Sequence, residues 1–173
     1  CLAIIGGFLT GALIFFFPSI RRAVYPYVLM TQTVPKVALA PILIVWFGVG
    51  FTSRLVLAFL IAYFPMVINS VTGLTTTSDS MLRYSRSLAA SEWQIFTKVR
   101  FPHALPAIVG GVKITVSVSV IGIIIGEFIA SEGGLGRLVL SSSAVLDTPM
   151  TFAAVLFIGL IGLGLFGFVE LLE

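Results

Sequence analysis

The sequence predicts an all-α integral membrane protein, a polytopic helical bundle that crosses the bilayer several times. Of its 173 residues, 58% are hydrophobic and only 10% are charged, whereas a soluble domain needs about 25% charged residues to cover its surface. Five apolar segments approach the roughly 20 residues that a helix needs to cross a hydrocarbon core of about 30 Å. None of the five alternates with period two, and helices satisfy their own backbone hydrogen bonds in lipid.

The first two of the five predicted spans are the least regular. The spans cover residues 2–20, 34–51, 55–74, 107–130 and 151–172. The first is predicted to end at Pro18 and the arginine pair that follows it. The second is short and contains Pro35 and Pro41, and a helix over residues 25–33 is a candidate to extend it. The chain opens and stops inside apolar runs, so we expect a fragment of a longer protein.

Positive charge is distributed unevenly between the predicted connections. Eight of the ten Lys and Arg residues lie in or beside the connections on one side of the membrane, and only Arg54 and Arg137 lie on the other. Because Lys and Arg concentrate on the cytoplasmic side, we predict that residues 75–106 are cytoplasmic and residues 131–150 lie outside. The chain has one cysteine and one histidine, so we expect no internal disulfide, no metal site and no cofactor.

The segment ASEWQIFTKVRFPHALP, residues 90–106, is unusually polar for this chain. Ser91 and Gln94 have the spacing of a capping box, in which each side chain accepts a hydrogen bond from the other residue's backbone N–H. An acidic residue follows the cap in the first turn, where its charge suits the helix dipole. Pro102 is expected to end the helix. We therefore predict a short, independently specified helix over residues 92–100.

The apolar face of this helix carries Trp93 and Phe96, and the residues alone leave two interpretations open. The aromatic rings could dock on the protein's own membrane helices or lie in the lipid interface, where tryptophan is common. Alternatively, they enter a groove on a separate protein, as short amphipathic helices often do.

The segment RSLAASEWQIFTKVRFPHALPAIVGGVKI, residues 86–114, resembles the cytoplasmic loop of membrane permeases of bacterial ABC importers, the EAA-loop family. The family pattern is Glu-Ala-Ala, three residues, Gly, nine residues and then Ile-x-Leu-Pro. In this chain the glycine position holds Ala89, and the final four positions are residues 99–102. Positions 83–85, which align with Glu-Ala-Ala, hold Arg, Tyr and Ser, so the chain departs from the pattern there and at the glycine.

Two further stretches are similar to the nitrate/sulfonate/taurine branch of these permeases. They are QTVPKVALAPILIVWFGVG (residues 32–50) and GEFIASEGGLGRLV (residues 126–139). The resemblance implies a type I importer permease of the bacterial inner membrane with six spans, of which five are present here, in a single domain over residues 1–173. The substrate stays open among sulfonate, taurine, nitrate and a small pyrimidine or riboflavin-type nutrient.

The resemblance also implies partners. Two permease copies would pair in the lipid bilayer, cytoplasmic ATP-binding subunits would hydrolyse ATP, and an external substrate-binding protein would deliver substrate; no nucleic acid is expected. The permease itself would not be an enzyme. Residues 75–106 would form the loop that couples the permease to the ATPase. The expected contacts are Ala89, Ala90, Ser91, Glu92, Trp93, Phe96 and Pro102.

Three polar residues in the predicted spans are candidates to line the translocation path: Glu127, Asn69 and Ser70. A carboxylate in lipid is costly, so Glu127 should face the bundle or a wet cavity. The alternative is that Glu127 caps a helix at the outer rim. The alternative for Asn69 and Ser70 is hydrogen bonding between helices.

Two competing functions suit an apolar polytopic chain. An intramembrane enzyme would need clustered acids, histidine or Ser–Lys pairs at membrane depth, whereas the seven acidic residues here are scattered. An autonomous channel or secondary transporter would need polar residues in the spans and no capped cytoplasmic helix. It remains the alternative to the permease.

Overall fold

The computed structural model describes residues 1–130 and 133–171, and every regular element in these ranges is helical. The α-helices, in chain order, are α1 (Leu2–Phe16), α2 (Pro18–Met30), α3 (Ala40–Phe47), α4 (Phe51–Thr75), α5 (Asp79–Ser87), α6 (Glu92–Ile95), α7 (Phe101–Ala130), α8 (Leu135–Ala144) and α9 (Thr148–Leu171). A 3₁₀ turn, Lys36–Leu39, precedes α3, and a π turn, Phe96–Arg100, joins α6 to α7. The predicted all-α fold class is confirmed.

Three helical stretches are long and apolar enough to cross a membrane, judged by length and composition: Phe51–Thr75, Glu92–Ala130 and Thr148–Leu171. They correspond to the third, fourth and fifth predicted spans. The apolar helices Leu2–Phe16 and Lys36–Phe47 are shorter. With a rise of about 1.5 Å per residue, α1 is only about 22 Å long, because it contains 15 residues.

The first predicted span ends earlier than expected, because the chain bends between α1 and α2. Phe17 has an extended backbone (φ −112°, ψ 97°), and Pro18 opens α2. A proline fits the first turn of a helix, where its missing N–H has no partner to lose. The predicted end of the first span at residue 20 was therefore wrong. The helix predicted over residues 25–33 is present as far as Met30, but it is the second half of α2 and does not extend the second span.

The second predicted span is also shorter than residues 34–51. It begins with the 3₁₀ turn and continues as α3, which ends at Gly48 in a left-handed conformation (φ 77°). Pro41 lies in the first turn of α3, where a proline is tolerated, so it does not interrupt the helix. Gly50 also has a positive φ, of 151°. The two glycines therefore end this apolar segment in a turn ahead of α4.

The chain divides into two compact units, Cys1–Thr33 with Tyr63–Val112 and Val34–Ala62 with Lys113–Glu173. The first unit contains two buried apolar clusters, to both of which α4 contributes. Their buried members are Ile14, Val28, Val67 and Val71 in one cluster and Met66, Leu74, Ala104 and Ile108 in the other. In the second unit, Ala40, Leu43 and Leu57 form a buried cluster against which Ile125 packs.

Within the first unit, α1 and α4 approach closely at two glycines that lie four residues apart. A Cβ on Gly7 would lie 2.6 Å from the Cβ of Met66, and a Cβ on Gly11 would lie 2.5 Å from the Cβ of Ser70. Glycines with this spacing form a small-residue face that lets two apolar helices pack with their backbones close together. These contacts place α1 directly against the C-terminal half of α4, which ends at Thr75.

Candidate functional site

The stretch Glu92–Ala130 opens with a complete capping box. The Oγ of Ser91 accepts a hydrogen bond from the N–H of Gln94 at 3.2 Å, and the Oε1 of Gln94 accepts one from the N–H of Ser91 at 2.9 Å. The prediction made from the SEWQ spacing is confirmed. Because both partners lie within four residues, the local sequence suffices to form this cap.

The helix that follows the cap does not end at Pro102. The four-residue helix α6 passes directly into the π turn, and the N–H of Phe101 donates to the carbonyl of Phe96, five residues earlier. In an α-helix, a proline ring clashes with the carbonyl four residues before it, and proline has no backbone N–H to donate to that carbonyl. The wider π turn lies immediately ahead of Pro102 and the chain continues into α7. The prediction of an independent helix over residues 92–100 that Pro102 ends was therefore wrong.

A separate short helix does exist in the loop, but it is α5, which the sequence reasoning missed. It covers Asp79–Ser87, and the Oγ of Ser78 accepts a hydrogen bond from the N–H of Met81 at 3.4 Å. Leu82 and Ser85 are buried on one side. A serine followed by an acidic first turn is the signal that could have located this helix.

Ala89 forms the turn between α5 and α6 in a left-handed conformation, with φ 55°. The N–H of Ala89 donates to the carbonyl of Arg86 at 3.0 Å, and the N–H of Ala90 donates to the carbonyl of Ser85 at 3.3 Å. This pair of bonds is a Schellman motif, which usually places glycine at the left-handed position. The position that the loop pattern assigns to glycine thus has the conformation that glycine favours, although an alanine occupies it.

Apolar side chains on both sides of this turn are exposed. Tyr84, Leu88 and Trp93 have exposed fractions of 66%, 66% and 68%, and we call these three residues the loop surface. Charged groups lie beside it, since Arg86 Nη2 and Glu92 Oε1 form an ion pair at 3.0 Å. Exposed apolar side chains in a charged segment are typical of an interaction site.

The two aromatic residues of the predicted helix have different environments. The Phe96 ring is half-buried, and its centroid lies 4.8 Å from that of Phe16 and 6.1 Å from that of Phe15. Ile95 is fully buried. Phe96 therefore packs on α1 of its own chain, while Trp93 stacks on Phe96 and stays exposed. A pocket of about 300 Å³ lies here, lined by Phe15, Phe16, Glu92, Trp93, Phe96 and Arg100.

The family of the chain is decided by a match over residues 3–173 to the binding-protein-dependent transport system inner membrane component. The chain belongs to this family. It is thus a multi-pass component of the inner membrane, and the family consists of ABC permease subunits, which are transport components rather than enzymes.

Relatives of this permease are named for several small nutrients. It is 36% identical over 170 residues to a probable ABC transporter permease of Haemophilus influenzae (96% of this chain, 69% of the relative). It is 35% identical to the riboflavin transport system permease RibX of Chloroflexus aurantiacus (89% and 58%). It is 33% identical to the formylaminopyrimidine transport permease ThiX of Halalkalibacterium halodurans (99% and 69%). Permeases named for taurine and aliphatic sulfonates also match.

Asn69 and Ser70 of the permease each donate a side-chain hydrogen bond to a backbone carbonyl within α4. The Nδ2 of Asn69 donates to the carbonyl of Pro65 and the Oγ of Ser70 donates to the carbonyl of Met66, each at 2.8 Å. Ser70 is fully buried against Gly11, whereas Asn69 is half-buried. Of these two residues, Asn69 is therefore accessible to a solute and Ser70 is not.

Glu127 lies near the end of α7 and bonds to the following helix. Its Oε2 accepts a hydrogen bond from the N–H of Gly136 at 2.7 Å. Gly136 is in the first turn of α8, a helix in the segment that the sequence placed outside the membrane. The capping arrangement considered as the alternative for Glu127 is thus present. Among residues 1–130 and 133–171, no group of three or more His, Cys, Asp or Glu side chains could hold a metal ion.

Proposed function

We propose that the chain is the permease subunit of an ATP-driven, binding-protein-dependent importer of a small nutrient. The observation that carries this proposal is the loop surface, three exposed apolar side chains in a charged segment of a membrane permease. We propose that residues 75–106 form the coupling loop of a single permease domain. Its contacts with a cytoplasmic ATPase would centre on Ala89, Ala90, Ser91, Glu92 and Trp93, together with Tyr84 and Leu88.

The way the loop joins the spans supports this role. The helix α6 passes through the π turn into α7 without a break. A closing ATPase that displaces Trp93 on α6 would therefore also displace α7, the membrane span that follows. Phe96 and Pro102 would then help to join the loop to the span and would not contact the ATPase, since Phe96 packs on α1 and Pro102 lies inside α7. The permease would work as a pair, which we propose to be two identical copies.

The substrate proposed is a small organic nutrient delivered by an extracytoplasmic binding protein. Support comes from the relatives, whose names cover riboflavin, formylaminopyrimidine, taurine and aliphatic sulfonates. The chain spans 58% to 69% of the first three relatives, so these activities concern longer proteins. Of the predicted path residues, Asn69 fits that role better than Ser70, because Ser70 is sealed against α1.

Co-purification tests the proposal. The full-length permease would be tagged, expressed with the ATPase encoded beside it, solubilised in mild detergent and captured. We expect Trp93→Ala and Tyr84→Ala each to weaken ATPase binding about tenfold, since a contributing interface aromatic accounts for more than about 1 kcal/mol. The matched control is Phe152→Ala, an aromatic on α9 with a similar exposed fraction of 66%, which should leave capture unchanged.

The contrary result is equally specific. If unmodified permease captures no ATPase, or if all three variants hold it equally well, the loop surface is not a coupling element. The alternative of an autonomous channel or secondary transporter would then lead. Thermal unfolding of each variant separates loss of binding from loss of folding.

A further inference from the structure

The π turn at Phe96–Arg100 changes which side chains of its helix lie on the same side. The N–H of Phe101 donates to the carbonyl of Phe96, five residues earlier. In a regular α-helix, residues five apart point about 140° away from each other, whereas a π turn accommodates one extra residue and brings them to one side. Lys98 and His103 are five residues apart and line the same pocket. Such π turns within α-helices often occur at functional sites.

The pocket that Lys98 and His103 share lies between α5 and the start of α7. Its volume is about 440 Å³, and the other residues that line it are Met81, Tyr84, Ser85, Val99 and Pro102. We call it the basic pocket. None of the described residues that line it is acidic, so its charged groups favour a negatively charged ligand.

The two cations of the π turn have different surroundings. The guanidinium of Arg100 lies 5.2 Å from the centroid of the Phe15 ring, which is a favourable cation–π distance. The Lys98 side chain is exposed, and in the part of the chain that the structure describes neither Lys98 nor His103 forms an ion pair with an acidic residue. An imidazole donates an N–H in either protonation state. The basic pocket thus offers an ammonium group and a second donor to an anion.

The length of the helix places the basic pocket near the lipid headgroups. The stretch Glu92–Ala130 contains 39 residues, so it is about 58 Å long and exceeds a hydrocarbon core of about 30 Å. Its polar N-terminal end therefore extends beyond the core. His103 precedes the predicted start of the span at residue 107 by about 6 Å of helix, which is within the thickness of a headgroup layer. Basic pockets at the ends of membrane helices bind acidic headgroups.

We propose that the basic pocket binds the phosphate of an anionic phospholipid from the adjoining leaflet. The ammonium of Lys98 pairs with the phosphate, and a ring N–H of His103 donates a hydrogen bond to it. Met81, Val99 and Pro102 supply apolar surface for the glycerol and the first acyl carbons. Because α5 and α7 both line the pocket, the bound lipid holds α5 against the start of the span.

Two other anions have the charge that the pocket favours. One is free phosphate from solution, and the other is an acidic side chain of a partner protein, because Tyr84 belongs both to the loop surface and to the lining of the basic pocket. The headgroup depth and the apolar lining favour the lipid over both. The lipid site requires only that the permease is in a membrane, so it does not rest on the proposed coupling to an ATPase.

Native mass spectrometry tests the lipid site. Full-length permease without ATPase would be purified in mild detergent and titrated with phosphatidylglycerol or with phosphatidylcholine of the same acyl chains. We expect tighter binding of phosphatidylglycerol, which Lys98→Gln weakens about fivefold and which Lys98→Arg retains. Adding His103→Ala to Lys98→Gln should weaken it more than about tenfold. Binding of phosphatidylcholine should be the same in all variants.

The matched control is Arg83→Gln. Arg83 is an exposed cation on α5 that does not line the basic pocket, so this change should leave phosphatidylglycerol binding unchanged. Equal weakening by Arg83→Gln and Lys98→Gln would overturn the site in favour of diffuse attraction to the basic loop. Equal affinities of the unmodified permease for the two lipids would overturn it as well. Melting temperatures without added lipid show whether each variant is folded.

The competing ligands give their own results. If inorganic phosphate alone raises the melting temperature of the unmodified permease but not that of Lys98→Gln, the pocket is a site for a soluble anion and the lipid assignment is wrong. If Lys98→Gln leaves phosphatidylglycerol binding unchanged but weakens capture of the ATPase, the ligand is a side chain of that partner. Failure of the proposed function would appear as no ATPase capture by the unmodified permease, and the lipid titration would remain decisive because it uses the permease alone.

Discussion

The Nζ of Lys113 lies 2.8 Å from the Oε2 of Glu170, so an ion pair joins α7 to the last turns of α9. The Lys113 side chain is 16% exposed and the Glu170 side chain is 56% exposed. The Nζ also lies 5.9 Å from the ring centroid of Phe166. A charged side chain on an apolar helix usually has a partner, because it would otherwise lose its hydration without compensation.

Exchanging the two charges should test this pair. We expect Lys113→Glu and Glu170→Lys each to lower the free energy of unfolding, because each places two like charges side by side. The double exchange should restore much of the loss, with a coupling energy between about 0.5 and 3 kcal/mol. Thermal unfolding of the four proteins in detergent measures it. Strictly additive effects of the two changes would contradict a direct ion pair.

The left-handed turn at residue 89 predicts that glycine is the better residue there. A residue with a Cβ in this conformation destabilises the folded state by about 1–2 kcal/mol. Glycine avoids this strain, but it loses more backbone entropy on folding, which costs about 0.5–1 kcal/mol. We therefore expect Ala89→Gly to stabilise the permease by about 0.5–1 kcal/mol. Ala90→Gly, at a position without a positive φ, serves as the control and should be slightly destabilising. A lower melting temperature for Ala89→Gly would exclude the strain.

The contact between α1 and α4 predicts a difference between two glycines of one helix. A Cβ on Gly11 would lie 2.5 Å from the Cβ of Ser70 and 3.0 Å from the carbonyl oxygen of Val67, whereas a Cβ on Gly6 would lie 3.6 Å from the Tyr63 ring. Gly11→Ala should destabilise by about 1–3 kcal/mol through overpacking. Gly6→Ala should be tolerated. The comparison is made by thermal unfolding, and equal melting temperatures would show that the helices are less closely packed.

The capping box predicts the effect of substitutions at residue 91. Ser91→Ala removes the acceptor for the N–H of Gln94 and should cost about 1 kcal/mol, whereas Ser91→Asp keeps an acceptor and should cost little. Ser87→Ala is a suitable control, because the Ser87 hydroxyl only donates to the carbonyl of Tyr84 on an exposed turn. Amide hydrogen exchange at residues 92–95 would report the cap directly. Unchanged exchange rates in Ser91→Ala would mean that packing of Ile95 holds the turn without it.

Local features of the site could be predicted from the sequence. The capping box needs only Ser91 and Gln94, and a four-residue pattern contains both of its hydrogen bonds. The left-handed turn at residue 89 could be anticipated from the loop pattern that the chain resembles. Pro102 could not be interpreted in the same way. Whether a proline ends a helix or follows a π turn depends on what holds the helix on both sides, and here Phe96 packs on α1, far away in sequence.

The helical fold, the need for a membrane and the resemblance to a permease could all be read from the sequence, because hydropathy, capping and short motifs each involve only neighbouring residues. The packing of the helices was needed to show that Trp93 stays exposed while Phe96 packs on α1, and that Glu170 forms an ion pair with Lys113. Those outcomes depend on how far each helix is rotated about its axis and on which neighbour lies within about 3 Å of a polar atom. Lys113 and Glu170, for example, are 57 positions apart in the sequence, so no local sequence pattern predicts that they pair.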